Sequence, residues 1–122
     1  MSCTVLLCDD AVFTRTMLKS IVTKAGCEVI GEADNGRAAV EQYVALRPEL
    51  VLMDMVMPDM GGLDAVRAIK ALDPAARIVM CSAMGQQKLV EEAIGAGAIG
   101  FILKPFSSAR VVEAITEAGV FA

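Results

Sequence analysis

The chain contains no histidine, no tryptophan and a single tyrosine. Without histidine it can build no Ser-His-Asp triad, ligate no zinc through imidazole and donate no phosphate from a phosphohistidine of its own. Long hydrophobic runs are missing as well. Although 56% of the residues are apolar, no uninterrupted stretch approaches the roughly 18 residues that a membrane span needs. The start lacks a basic segment followed by an apolar one, so no signal peptide is expected and the reading is cytoplasmic. Positive charge is also scarce: 11 Lys and Arg stand against 15 Asp and Glu, net −4. With the bases scattered along the chain, its field repels nucleic acid, and no nucleic-acid or membrane partner is expected. The four cysteines, Cys3, Cys8, Cys27 and Cys81, form no Cys-x-x-Cys pair. They are read as reduced cytosolic thiols, with Cys8 and Cys81 in core strands.

What is present is a regular alternation. Apolar runs near residues 4–8, 28–33, 50–53, 78–81 and 99–103 are separated by segments of helical period. In the first helical segment Phe13, Met17 and Ile21 form one stripe with Leu18 and Val22 beside it, and Gly26 is a plausible stop. The second follows Asn35-Gly36, carries Val40, Tyr43 and Val44, and ends before Pro48. The third uses Leu63, Val66 and Ile69; the fourth Leu89, Val90, Ala93 and Ile94. The last begins behind Ser107-Ser108, good N-cap residues, with Val111, Val112 and Ile115 facing inward. Five strand-helix units in 122 residues predict one α/β domain over 1–122, a doubly wound parallel sheet covered on both faces. Strands buried on both faces account for the high apolar content. No linker or low-complexity tract is visible, so no effector domain is expected and any signal is expected to pass by contact.

In such sheets ligands bind outside the carboxyl ends of the strands, and the polar residues here follow the apolar runs. Asp9-Asp10 follows the first, Asp54 the third, Ser82 the fourth and Lys104 the fifth. Any one aspartate could be a helix or turn cap. Three gathered by this topology repel one another unless a cation offsets them, and a small oxygen-rich site of this kind suits Mg²⁺. A carboxylate can attack phosphorus to form an aspartyl phosphate. Mg²⁺, Lys104 and the Ser82 hydroxyl would then neutralise the phosphoryl oxygens. Two other patterns carry less. Gly95-x-Gly97-x-x-Gly100 matches a dinucleotide fingerprint, but it precedes a strand instead of following one, and reads as a loop. Met53, Met55, Met57 and Met60 suggest a thioether site for Cu(I), but core packing explains Met53, and Asp54 in their midst is a hard ligand.

These residues resemble the motifs of response-regulator receiver domains, and most closely the single-domain chemotaxis regulators. The resemblance rests on Leu7-Cys8-Asp9-Asp10, Met53-Asp54-Met55, Met57-Pro58-Asp59-Met60-Gly61-Gly62, Cys81-Ser82-Ala83-Met84 and Lys104-Pro105-Phe106 in this order, and covers essentially the whole chain. It implies the flavodoxin-like (βα)5 fold with strand order 2-1-3-4-5. It implies that Asp54 is the phosphoacceptor, that Asp10, Asp54 and the Val56 carbonyl ligate Mg²⁺, and that Asp9 acts through water. Ser82 and Lys104 would sense the phosphoryl group, Phe101 would be the aromatic whose rotamer reports it, and the Lys104-Pro105 bond would be cis. The output face would comprise the fourth helix, last strand and last helix. The implied partners are a chemotaxis histidine kinase, a flagellar motor switch protein and a separate phosphatase. The chain would be a phosphoacceptor with slow self-dephosphorylation and not a turnover enzyme.

Departures from the family pattern bear on that last point. Phe101 lacks the tyrosine hydroxyl of many members, Gly61 replaces a commoner polar residue, and Val56 and Met84 put apolar groups where a water would have to be oriented. Two other functions share the architecture. A phosphorelay carrier would pass phosphate between histidine proteins. A flavodoxin-like electron carrier needs a hydroxyl-rich loop after the first strand and aromatics over the flavin, where this chain has Asp9-Asp10 and one tyrosine.

Overall fold

The computed structural model describes residues 3–119. Five strands alternate with five helices: β1 (Cys3–Cys8), α1 (Val12–Lys24), β2 (Cys27–Ala33), α2 (Gly36–Leu46), β3 (Leu50–Asp54), α3 (Gly62–Leu72), β4 (Ile78–Ser82), α4 (Gln87–Gly95), β5 (Gly100–Leu103) and α5 (Ser108–Glu117). The sheet order is β2-β1-β3-β4-β5, every pairing is parallel, and the chain reverses its direction of travel across the sheet at β1. The order expected from the resemblance is the one observed.

Alternation along the strands divides the core in two. Leu6, Val51, Met53, Ile78 and Met80 pack with Tyr43, Val66, Ile69 and Ala93 on the side of α2, α3 and α4. Val5, Leu7, Leu50, Leu52, Val79 and Ile102 pack with Leu18, Val22, Val111 and Ile115 on the side of α1 and α5. Met53 packs in the core, as expected, and Met55 and Met57 are buried in the same cluster, with Met60 partly buried against it. Helix starts follow local chemistry. Asn35 accepts from Ala38 N at 2.8 Å and Ser107 from Arg110 N at 3.1 Å, each satisfying a backbone donor that has no partner within the helix. The Gly95–Gly100 stretch is the end of α4 and the loop into β5, so no helix opens from it.

Several readings are corrected. In α1 the buried residues are Leu18 and Val22, while Phe13 is 76% exposed and Met17 also reaches solvent. Met17 and Ile21 instead border a groove of about 550 Å³ between α1 and α5, with Phe106 and Val112 on its far wall, and Phe13 lines a second groove of about 300 Å³ with Met17, Lys104 and Phe106. Val112 is therefore not inward: α5 turns Val111, Ala114 and Ile115 to the core, and one residue adds about 100° of rotation. For the same reason Leu89 and Ile94 flank the buried pair Val90 and Ala93, and Val44 lies outside the buried Ala39 and Tyr43. The cysteine reading is half right. Cys8 and Cys81 are free and buried, but Cys3 and Cys27 form a disulfide. They start β1 and β2 in direct register with Cα atoms 4.6 Å apart, within the range a disulfide spans. A search for close Cys-x-x-Cys spacing cannot see a pair 24 residues apart.

One glycine ties the fold to the end of β3. A Cβ on Gly62 would overlap the carbonyl oxygen of Asp54, so α3 can begin against β3 only without a side chain there. Gly62→Ala is expected to destabilise the protein by about 1–3 kcal/mol through overpacking. Urea denaturation would show this as a lower midpoint at unchanged slope; an unshifted midpoint would mean that the loop yields freely.

Candidate functional site

Four strand ends converge on one spot. Asp9 and Asp10 leave β1, Asp54 ends β3, Ser82 ends β4 and Lys104 follows β5. Asp9, Asp54 and Ser82 are buried, and Asp10 is exposed. Carboxylate oxygens of Asp9, Asp10 and Asp54 lie within 4.8 Å of one another. Lys104 Nζ bridges two of them, 2.9 Å from Asp9 Oδ2 and 3.2 Å from Asp54 Oδ1. All four charged groups selected from the sequence thus meet, and the Lys104-Pro105 bond is cis.

The electrostatics follow from one ammonium among three carboxylates. Burial and the charge of Asp9 raise the Asp54 carboxyl above its ordinary 3.8, and the opposing pull of Lys104 does not cancel them. Burial works against the charge on Lys104, but its hydrogen bond to Asp9 and the charge of Asp54 outweigh this and hold it above the usual lysine value. Burial pushes the Cys81 thiol up to about 12 and Cys8 up as well, so neither is an available thiolate.

The three aspartates are not equivalent. Both oxygens of Asp9 are engaged, Oδ1 by Ala11 N at 2.9 Å and Oδ2 by Lys104. Its backbone carbonyl accepts from Arg15 Nη1 at 2.6 Å, and Arg15 is itself paired with Glu32. Asp10 makes no side-chain hydrogen bond among the described residues and faces solvent. This donor set fits a hard divalent cation: Asp10 and Asp54 have oxygens to give, whereas Asp9 is held in place. Arg15 was not singled out in the sequence, where nothing in its spacing distinguishes it from a solvated helix residue.

The rim is apolar. Val56 is 56% exposed and Met84 78% exposed. After Met57 the chain turns at Asp59, which takes the left-handed φ of 66°, with Met60 N bonded to Pro58 O at 2.7 Å. On the other side, a cavity of about 240 Å³ separates Ser82 from the ring of Phe101, with Val90 and Leu103 among its walls. Phe101 is 43% exposed. Its carbonyl accepts from Arg110 Nη2 at 2.7 Å, which ties β5 to α5.

The family model of the response regulator receiver domain matches residues 5–116. The chain belongs to that family. The receiver is 59% identical to the chemotaxis protein CheY of Thermotoga maritima over 113 residues, 93% of this chain and 94% of that one. It is 54% identical to CheY of Bacillus subtilis, again over 93% of this chain and 94% of the relative. Among solved structures it superposes with a TM-score of 0.92 and 35% identity on a crystal structure of the CheX-CheY-BeF3-Mg²⁺ complex from Borrelia burgdorferi, covering 96% of this chain and 89% of that one. The receiver is a CheY-like chemotaxis response regulator of a two-component system. No helix among the described residues is long and apolar enough to cross a membrane.

The raised Asp54 carboxyl has a thermodynamic consequence. A native carboxyl raised above its unfolded value binds more protons in the folded state, so its ionisation costs stability above that raised value. The cost grows as the pH rises through that raised value and fades as the pH falls toward 3.8. Asp54→Asn is therefore expected to raise metal-free stability at pH 7, to raise it less near pH 4, and to reduce the stabilisation that Mg²⁺ gives. Thermal melts at both pH values, with and without Mg²⁺, check this. An unchanged metal-free melt together with full Mg²⁺ stabilisation would refute the crowding argument.

Proposed function

We propose that this receiver is a phosphoacceptor switch. Asp54 takes a phosphoryl group from a chemotaxis histidine kinase, and the face formed by α4, β5 and α5 passes the change to a flagellar motor switch protein. The observation that carries this reading is the seating of Asp54: a buried carboxylate paired with Lys104 and crowded by Asp9 and Asp10. In the transfer, an Asp54 oxygen forms a bond to phosphorus as the bond from phosphorus to the donor's imidazole nitrogen breaks, and the nitrogen keeps the electron pair.

Both reactants are anionic, so the site must lower their repulsion. Lys104 would move from neutralising the bare carboxylates to neutralising a phosphoryl oxygen, and the Ser82 hydroxyl would donate to another. Asp10, Asp54 and the Val56 carbonyl are the groups that would hold Mg²⁺, with Asp9 acting through water. When bound, Mg²⁺ supplies the positive charge that offsets the carboxylates and the incoming phosphoryl oxygens.

Drawing Ser82 toward the phosphoryl group would widen the cavity beside Phe101, and the ring, now half-exposed, would turn inward to fill it. Two packings close in energy, one of which binds the phosphoryl group better, make such a switch. The apolar rim would make loss of the group slow, because neither Val56 nor Met84 can orient an attacking water. A separate phosphatase carrying such a side chain fits this, and the Borrelia relative was crystallised in a complex with CheX. No observation favours the phosphorelay or electron-carrier readings, and a cytoplasmic location accords with the relatives.

Incubation with acetyl phosphate and Mg²⁺ should add the mass of one phosphoryl group to the intact protein. The gain should be absent in Asp54→Asn and formed at least about a hundredfold more slowly in Lys104→Met, on the scale of losing one stabilising donor. No gain in the parent, or a gain that survives Asp54→Asn, would overturn the reading. Val56→Asn should shorten the lifetime of the aspartyl phosphate, and a fast parental decay unaffected by that change would remove the explanation from the rim.

A further inference from the structure

Ala83 directly follows Ser82, and its backbone N–H donates not to backbone but to the side chain of Gln86, whose Oε1 lies 2.7 Å away. The alternation of the ladder sets where that N–H points. Successive residues of a strand turn their backbone polar groups to opposite neighbours. Cys81 O accepts from Met55 N and so faces β3, whereas Ser82 O accepts from Lys104 N and so faces the β5 side. Ala83, the next residue, turns its N–H back toward β3, where Asp54 stands opposite Cys81. The ladder acceptor it would meet there, Met55 O, is already bonded to Gly62 N at 3.0 Å. The N–H of Ala83 is thus a donor aimed at the mouth of the site, and Gln86 Oε1 fills it.

The turn is built for this contact. Gly85 takes φ 89° in open space, with no heavy atom within 4 Å of where a Cβ would stand, and this left-handed step folds Gln86 back onto Ala83. Gln86 is also the first residue to bond into α4, since its own carbonyl accepts from Val90 N at 3.0 Å. Its side chain makes no capping bond to the helix, so its contact with Ala83 is not one that α4 needs.

We propose that Gln86 is a positioning residue that gates the phosphoryl oxygen site. Its amide oxygen holds the Ala83 N–H while Asp54 is bare, gives it up to an arriving phosphoryl oxygen, and carries that release to the start of α4. This rests on the reading of Asp54 as phosphoacceptor. Two acceptors compete for one donor, and the charged phosphoryl oxygen makes the stronger hydrogen bond, so it displaces the neutral amide. The displaced side chain belongs to the residue that begins α4, which links the chemistry at Asp54 to the face read by a partner.

The test uses beryllofluoride with Mg²⁺ as a phosphoryl stand-in, and amide exchange at Ala83 in the metal-free protein. Gln86→Ala removes the competitor and should bind beryllofluoride about fivefold more tightly, the size of one net neutral hydrogen bond, and its Ala83 amide should exchange faster. Gln86→Glu keeps an acceptor and charges it, so it should bind more weakly than the parent; a purely structural role would instead make both variants weaker. Equal or weaker binding by Gln86→Ala would overturn the gate. If no form binds the probe although Ala83 exchange still responds to Gln86→Ala, the contact is real, but the phosphoacceptor reading is wrong and the gate falls with it.

Discussion

The ammonium of Lys104 lies between the carboxylates of Asp9 and Asp54, and the remaining architecture of the site follows from the charge it leaves unbalanced. One cation cannot neutralise three carboxylates. Asp9 is fixed by Lys104 on one oxygen and by Ala11 N on the other, which leaves Asp10 and Asp54 with oxygens to offer. Burial, together with the charge of Asp9, raises the Asp54 carboxyl, and the unbalanced negative charge makes the site a receptor for whatever brings positive charge. Like charges held this close cost stability, and a fold keeps such a cost where function requires it.

How that charge reaches the surface depends on what is weakly packed. α4 buries only Val90 and Ala93, and the cavity between Ser82 and Phe101 leaves that flank of the sheet short of contacts. Elements with few buried apolar residues open at low free energy. On the opposite flank α1 also buries only two residues, Leu18 and Val22, but it is tied to the site through the bond of Arg15 to Asp9 O. The flank tied through Arg15 thus holds Asp9 in place, and the flank beside the cavity has space in which to respond. Arg110, bonded to the carbonyl of Phe101 and paired with Glu113 and Glu117, spans the two elements on which that response would be read.

Legibility in the sequence followed the strength of the physical signal. The three central strands were legible because a strand buried on both faces must be apolar throughout, and the site residues because chemistry at the ends of parallel strands must follow those runs directly. The faces of α1 and α5 were less legible. Phe13, Met17 and Val112 are as apolar as Leu18, Val22 and Val111, and composition does not say which of two adjacent stripes meets the sheet. Cys3 and Cys27 escaped for a related reason: their pairing depends on the register of β1 against β2, which no local spacing reveals. Gln86 and Arg15 look like ordinary polar residues of a loop and a helix until the turn at Gly85 and the approach of α1 bring them to backbone atoms of the site.

From the sequence alone came the alternation of strand and helix, the placing of Asp9, Asp10, Asp54, Ser82 and Lys104 at strand ends, and the exclusion of histidine chemistry, because these depend on residue type and on periods of two and 3.6. The strand order came only by resemblance. The tertiary structure decided which aspartate is immobilised and which is free, which apolar stripes remain on the surface, which cysteines pair and which side chain occupies the Ala83 N–H. Each of those is a distance between residues far apart in the chain or around a turn, and such distances exist only once the sheet has closed and the helices have docked.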